Sequence, residues 1–259
     1  MAELLLNNAS VAADGVPLVQ EASLSITQGE LVVLLGPNGA GKTSLLRLLL
    51  GLMPVDSGTA TLDGVPVTDL SAAERALAVA YLPQLRPLAW PNRVRDIVAL
   101  GRFAHGVMMG RPQAKDAALI EAALSACDLL GLADRGANTL SGGELARVHC
   151  ARAFVANTAL LVADEPTAAL DPRHQHQVLK LLRGYVAGGG GACVVLHDIA
   201  LAARYADRLV WMQGGRIVAE GGVRESLTAE RLRMVYGVQA NVAADGDTVQ
   251  VHVEGLTPV

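Results

Sequence analysis

Aromatic residues are scarce in this chain: two Phe, two Trp and four Tyr make up 3% of 259 residues. Leu, Val and Ala must therefore fill the core. Three cysteines, Cys127, Cys150 and Cys193, are widely spaced and form no C-x-x-C pair. They suggest neither a zinc site nor a disulfide framework and read as small buried apolar residues in a reducing compartment. No apolar run approaches the ~18 residues of a membrane-spanning helix. Met1-Ala2-Glu3 lacks the charged-then-apolar pattern of a signal peptide. The expectation is a soluble, cytoplasmic chain whose membrane connection, if any, comes from a partner. Positive charge is not in excess either. With 21 Lys+Arg against 25 Asp+Glu the net charge is −4, so there is no overall basic surface for nucleic acid. Internal repeats are absent, and only three lysines occur, Lys42, Lys115 and Lys180.

What is present reads as globular: 51% hydrophobic and 18% charged residues in a length that suits one or two domains. Residues 3–28 alternate weakly around Asp14-Gly15, which predicts two antiparallel strands. Glu30 to Leu35 is a short apolar run, the mark of a buried strand. It leads into Gly36-Pro37-Asn38-Gly39-Ala40-Gly41-Lys42-Thr43, which fits G-x-x-x-x-G-K-[ST]. A leucine-rich helix follows from Gly41 to Met53 and is expected to stop at Pro54. A hairpin turns at Asp63-Gly64, and Ala78 to Leu82 is a further buried strand. From Arg86 to about Val155 the strand pattern fades, with helices expected over 114–130 and 142–155. Buried strands return at 159–163 and 192–196. Asp171-Pro172 opens a helix with proline at its first position. Gly214-Gly215 turns a hairpin between 209–212 and 217–219, 228–235 reads as a helix, and the final residues alternate around Asp245-Gly246. Strands alternating with helices predict an α/β fold, a parallel sheet covered on both faces. A small antiparallel β subdomain and a helical insertion complete it.

The phosphate loop works through its backbone. Glycines at 36, 39 and 41 let N–H groups turn inward, and the helix start near Lys42, including Ser44, adds its positive end. Lys42 is placed to reach the β- and γ-phosphates and the Thr43 hydroxyl to bind Mg2+. Asp164 and Glu165 end a buried strand, at the sheet edge where ligands bind. Adjacent carboxylates there point differently, so Asp164 can hold Mg2+ while Glu165 polarises water as general base. Gln84 offers an amide oxygen for Mg2+. His197, after another buried strand, can donate to the γ-phosphate and orient Glu165 or water. Leu140-Ser141-Gly142-Gly143-Glu144 opens a helix with Ser141 as cap and gives a second anion-attracting turn. His174 and His176, two apart, make a poor metal pair and read as helix surface. Arg93, Arg95, Arg102 and Arg111 read as a solvated basic face.

The order of these motifs resembles the ATP-binding subunit of an ABC transporter, from about residue 4 to about residue 240. The resemblance implies the P-loop NTPase core of an ABC ATPase, with residues 1–240 as the ATP-binding domain, a helical subdomain at about 86–156 and a short extension at 241–259. It implies a head-to-tail homodimer in which each ATP lies between one phosphate loop and the partner's Ser141-Gly142-Gly143-Glu144, with Asp171 at the seam. Gln84 would then sense nucleotide and the membrane partner. ATP and Mg2+ are the implied cofactors. Integral permease subunits are the implied partners, with a periplasmic or extracellular binding protein reached through them, at the cytoplasmic side of the inner membrane. Tyr81-Leu82-Pro83-Gln84, Val94 to Arg102 with His105, Ala163 to Asp171 and Val235-Tyr236-Gly237-Val238 look like the subunits that power ferric-siderophore, haem and cobalamin importers. The rival is a non-transport ATPase of the same core, such as an iron–sulfur assembly scaffold, against which Val98 to Arg102 argues. Two departures stand out. Ala13 falls where the family usually has an adenine-stacking aromatic, and Glu144 falls where glutamine is commoner.

Overall fold

The computed structural model describes residues 1–84, 92–107, 113–168, 170–246 and 248–256, so Arg111, Ala169 and the expected start of the helical region at Arg86 lie outside the described residues. Among the described residues, β1 (Glu3–Ala13) and β2 (Val16–Thr27) pair antiparallel across the turn at Asp14-Gly15, both with positive φ. β4 (Ser57–Leu62) and β5 (Val65–Pro66) extend that sheet in the order β2-β1-β4-β5. A second sheet has the order β10-β9-β3-β8-β7-β6. Its strands are β3 (Leu31–Leu35), β6 (Val79–Leu82), β7 (Leu160–Ala163), β8 (Gly191–Val195), β9 (Arg208–Gln213) and β10 (Arg216–Gly222). All neighbours in it run parallel except β9 and β10.

The parallel strands are buried on both faces, and the two-residue period of a strand divides their side chains between two cores. Leu31, Val33 and Leu35 of β3, with Leu209 and Trp211 of β9, face one core; Val32 and Leu34, with Val210 and Met212, face the other. The second core is closed by β1, β2, β4 and α1 (Lys42–Leu49). The first is closed by α3 (Val94–Ala99), α4 (Ala114–Ala126), α5 (Gly142–Phe154), α6 (Pro172–Ala187), α7 (Ile199–Tyr205) and α9 (Ala229–Tyr236). Cys127 and Cys193 are buried, and burial pushes both thiols up, Cys193 to about 12, which leaves them inert packing groups.

Three expectations about elements need correction. α1 ends at Leu49, before Pro54, because Gly51 takes φ 64 and turns the chain. α4 ends at Ala126 and not at Leu130, where Asp128 takes φ 55. The sequence reading also passed over α2 (Ala72–Ala78), which opens with a reciprocal cap between Ser71 and Glu74. A short α8 (Val223–Ser226) precedes α9, and the end of the described chain forms the hairpin β11 (Val238–Asp245) and β12 (Thr248–Leu256), packed on α9 and α7.

The basic stretch is not one solvated face. Arg93 and Arg95 meet Asp134 at the surface, but Arg102 is only 5% exposed. Its guanidinium bonds Asp116 at 3.0 Å and donates to the carbonyls of Val155 and Ala156 just beyond α5. Asp116→Ala would leave a buried unpaired cation, which typically costs about 3–5 kcal/mol. Urea unfolding should show that loss; a variant as stable as the parent would mean that water or another group satisfies Arg102.

Candidate functional site

Strand β3 ends at Leu35, and residues 36–41 curl over the start of α1. Two glycines have no substitute here. A Cβ on Gly36 would stand 2.3 Å from the Met212 carbonyl oxygen, and one on Gly41 (φ 97) 2.3 Å from that of Leu18. The loop is thus pressed between β9 and β2. It floors an open cleft of about 320 Å³ lined by Leu18, residues 38–44, Gln84 and Glu165. Lys42 lies buried along this floor and donates through Nζ to the carbonyls of Gly36 (2.7 Å) and Pro37 (2.9 Å). Burial lowers its pKa, and the charges of Glu165 and Asp164 pull it back.

Parallel pairing of β7 between β6 and β8 delivers Asp164 and Glu165 to the same sheet edge as Gln84 and His197. The two carboxylates do diverge. The Thr43 hydroxyl donates to Asp164 Oδ2 at 2.8 Å. Glu165 leaves the strand with φ 52, a left-handed conformation uncommon outside glycine. Its Oε2 accepts from the Gln84 amide at 2.8 Å, and its Oε1 lies 2.7 Å from His197 Nε2. The structure therefore brings together Lys42, Thr43, Gln84, Asp164, Glu165 and His197.

The donor set suits a hard divalent cation. Asp164 is 1% exposed and its Oδ1 is buried with no hydrogen-bond partner. That desolvation raises its pKa, against the Thr43 hydrogen bond, which lowers it. A buried carboxylate oxygen with an open lone pair, beside the Thr43 hydroxyl, offers the few oxygen ligands that Mg2+ takes when phosphates and water supply the rest.

The second glycine turn lies apart, at the start of α5 in the helical region. Ser141 Oγ accepts from the Glu144 amide at 3.3 Å while Glu144 Oε2 accepts from the Ser141 amide at 2.7 Å. Those bonds lower the Glu144 pKa and close a capping box, which glutamate and glutamine can both make. No cleft residue comes from 141–144. Asp171 caps α6 by accepting from the His174 amide at 3.0 Å, and the His174 ring holds its other oxygen at 2.7 Å. His176 instead bonds the Tyr205 hydroxyl at 2.8 Å. These two histidines are thus side-chain partners rather than bare helix surface, and they point apart as their spacing requires.

Two site residues escaped the sequence reading. Leu18 on β2, not the exposed Ala13, lines the cleft. Tyr236, at the end of α9, accepts the Gly36 N–H at 2.9 Å. Its motif was noticed as a resemblance, but a contact across 200 positions leaves no local signal.

The chain is similar to known proteins in both sequence and fold. Residues 19–168 match the family model for ABC transporters. The haemin import ATP-binding protein HmuV of Pseudomonas putida is 41% identical over 232 residues, covering 88% of this chain and 89% of that relative. A solved chain described as belonging to a metal-chelate type ABC transporter, in an inward-facing conformation, superposes with TM-score 0.82 at 25% identity, covering 98% of this chain and 97% of that one. A dimeric ATP-binding cassette in a post-hydrolysis state, bound to ADP and Pi, gives TM-score 0.75 at 25% identity, covering 85% of this chain and 99% of that one.

Proposed function

The chain belongs to the ABC transporter family, and from that membership we propose that it is the ATP-hydrolysing subunit of an importer for haemin or a related iron chelate. The observation that carries the reading is that Lys42, Thr43, Gln84 and Glu165 line one cleft at the ends of parallel strands, with Asp164 bonded to Thr43 and His197 in contact with Glu165. The haemin cargo is supported by the HmuV relative and the metal-chelate type neighbour.

The chemistry follows from where the groups sit. Backbone amides of residues 38–43 and the positive end of α1 bind the phosphates. Lys42 exchanges its two carbonyl acceptors for phosphate oxygens. Thr43, Asp164 and Gln84 would hold Mg2+, which when bound neutralises the charge that develops on the transferred phosphate. Glu165 accepts a proton from the attacking water. His197 orients Glu165 through the 2.7 Å contact. Ser141 to Glu144, outside the cleft of their own chain, are proposed to close over ATP bound by a second copy, with Asp171 at the seam, as a head-to-tail dimer. A dimeric cassette among the structural neighbours supports that arrangement.

Among the described residues no helix is long and apolar enough to cross a membrane; in the proposed importer, integral permease subunits provide the path. Phe103 is 73% exposed and Leu77 44%, on elements that pack together. These exposed apolar side chains suit contact with a permease segment at the cytoplasmic face of the inner membrane.

Turnover by the purified chain tests the reading. Lys42→Ala should abolish tight nucleotide binding or hydrolysis; hydrolysis at the parental rate would remove the proposed site. Because Ala13 falls where the family usually has a stacking aromatic and Leu18 is the aliphatic residue lining the cleft, ATP and GTP should be turned over with kcat/KM within about threefold, since an aliphatic contact discriminates weakly. A strong ATP preference in parallel assays would show that another group reads the base.

A further inference from the structure

The first residue of the phosphate loop, Gly36, is held from both sides. Its carbonyl accepts from Lys42 Nζ at 2.7 Å. Its N–H donates to the hydroxyl of Tyr236, a residue outside the cleft lining, at 2.9 Å. This bond spans the fold: Tyr236 ends α9, and Gly36 follows β3. The phenol is itself held in place. Its ring meets the Trp211 ring edge-on, with centroids 6.4 Å apart. The carbonyl of Met234, two residues earlier, accepts from the Gln213 amide at 3.0 Å. Trp211, Met212 and Gln213 belong to β9, and the Met212 carbonyl is the wall against which Gly36 is pressed. Burial pushes the Tyr236 hydroxyl to about 12, so it remains a neutral phenol that can accept this bond throughout the physiological range.

We propose that Tyr236 is a positioning residue for nucleotide binding: its hydroxyl anchors the entry of the phosphate loop from behind, so that the loop amides keep their phosphate-binding arrangement when Lys42 releases the Gly36 carbonyl. The proposal rests on the reading of residues 36–43 as the ATP site. Without the anchor, Gly36 would lose one hold permanently and the other on ligand binding. The ordering of the loop would then be charged against phosphate affinity. It also gives α9 and the hairpin β11–β12 that packs on it a direct mechanical link to the site.

Tyr236→Phe tests it in the full chain, because it keeps the ring against Trp211 and removes only the acceptor oxygen. Loss of one net hydrogen bond should raise KM for ATP and Kd for ADP about three- to tenfold, with kcat within about twofold. All should be read well below the melting midpoint of either protein. Tyr236→Leu, which also removes the ring, should weaken affinity at least as much. Unchanged KM and Kd in Tyr236→Phe overturn the proposal, whether or not the protein melts earlier, since the residue would then be packing alone. A fall in kcat with KM and Kd held overturns it too. Lys42→Ala in the same assays keeps the two ideas apart. If that variant binds nucleotide normally, the phosphate-loop reading fails; if only Tyr236→Phe binds normally, the anchor fails alone.

Discussion

Glu165→Gln is expected to bind ATP and then stall. The amide keeps the shape of the carboxylate and can still accept from Gln84, but it cannot take a proton from water. Loss of a general base typically costs about 10²–10⁴ in rate, so turnover should fall within that range while ATP affinity is retained or improved. Because the reaction that reopens the dimer is blocked, the variant should accumulate as an ATP-dependent dimer in size-exclusion chromatography. Hydrolysis at the parental rate would mean that Glu165 is not the base. In that case its left-handed φ of 52 and its bonds to Gln84 and His197 would serve only to shape the sheet edge.

Asp164→Asn should separate stability from function. Burial raises the Asp164 pKa in the ligand-free chain above the ordinary 3.8. A carboxyl raised on folding contributes stability at low pH and loses it as pH rises through the folded value. At neutral pH the buried charge therefore weakens the empty protein. Asparagine removes that charge and can still accept from Thr43, so the ligand-free midpoint should rise, and the gain should shrink as pH falls through the raised pKa. Turnover moves the other way. Loss of a cation ligand should reduce it by more than the about 10–100-fold typical when outer-shell partners are removed. The same linkage predicts that Mg2+–nucleotide affinity of the parent falls on acidification, since the cation needs the ionised carboxylate. Melting curves with and without Mg2+–ADP check both signs. A destabilised variant that hydrolyses ATP normally would contradict the assignment.

Much of the fold was legible because its signals are local. The apolar run of β3, the glycines of the loop and the leucines of α1 follow one another in the sequence, so strand, loop and helix could be read in order. Buried strands β7 and β8 announced themselves in the same way, and their ends placed Asp164, Glu165 and His197 on one edge. Helix α2 escaped because it buries none of its residues and so shows no apolar period; only Ser71 and Glu74, spaced as a capping box, could have revealed it. The ends of α1 and α4 were misplaced because a single left-handed residue, Gly51 or Asp128, stops a helix as firmly as a proline. Arg102 looked like one of several surface cations because its buried partner, Asp116, lies on another helix. Leu18 and Tyr236 reach the site through contacts that exist only after the sheet and α9 have assembled around the loop. Such contacts have no sequence period to betray them.

Uptake by cells is the measurement that bears most directly on the account. Cells in which this chain is the only ATPase available to the proposed permease would be given labelled haemin, ferric siderophore and cobalamin, with either the parent chain or Glu165→Gln at equal abundance. The account predicts that haemin uptake is lost with Glu165→Gln. Haemin uptake at the parental rate would contradict it: loss of another cargo would point to a different chelate, and no loss at all would point to a non-transport ATPase.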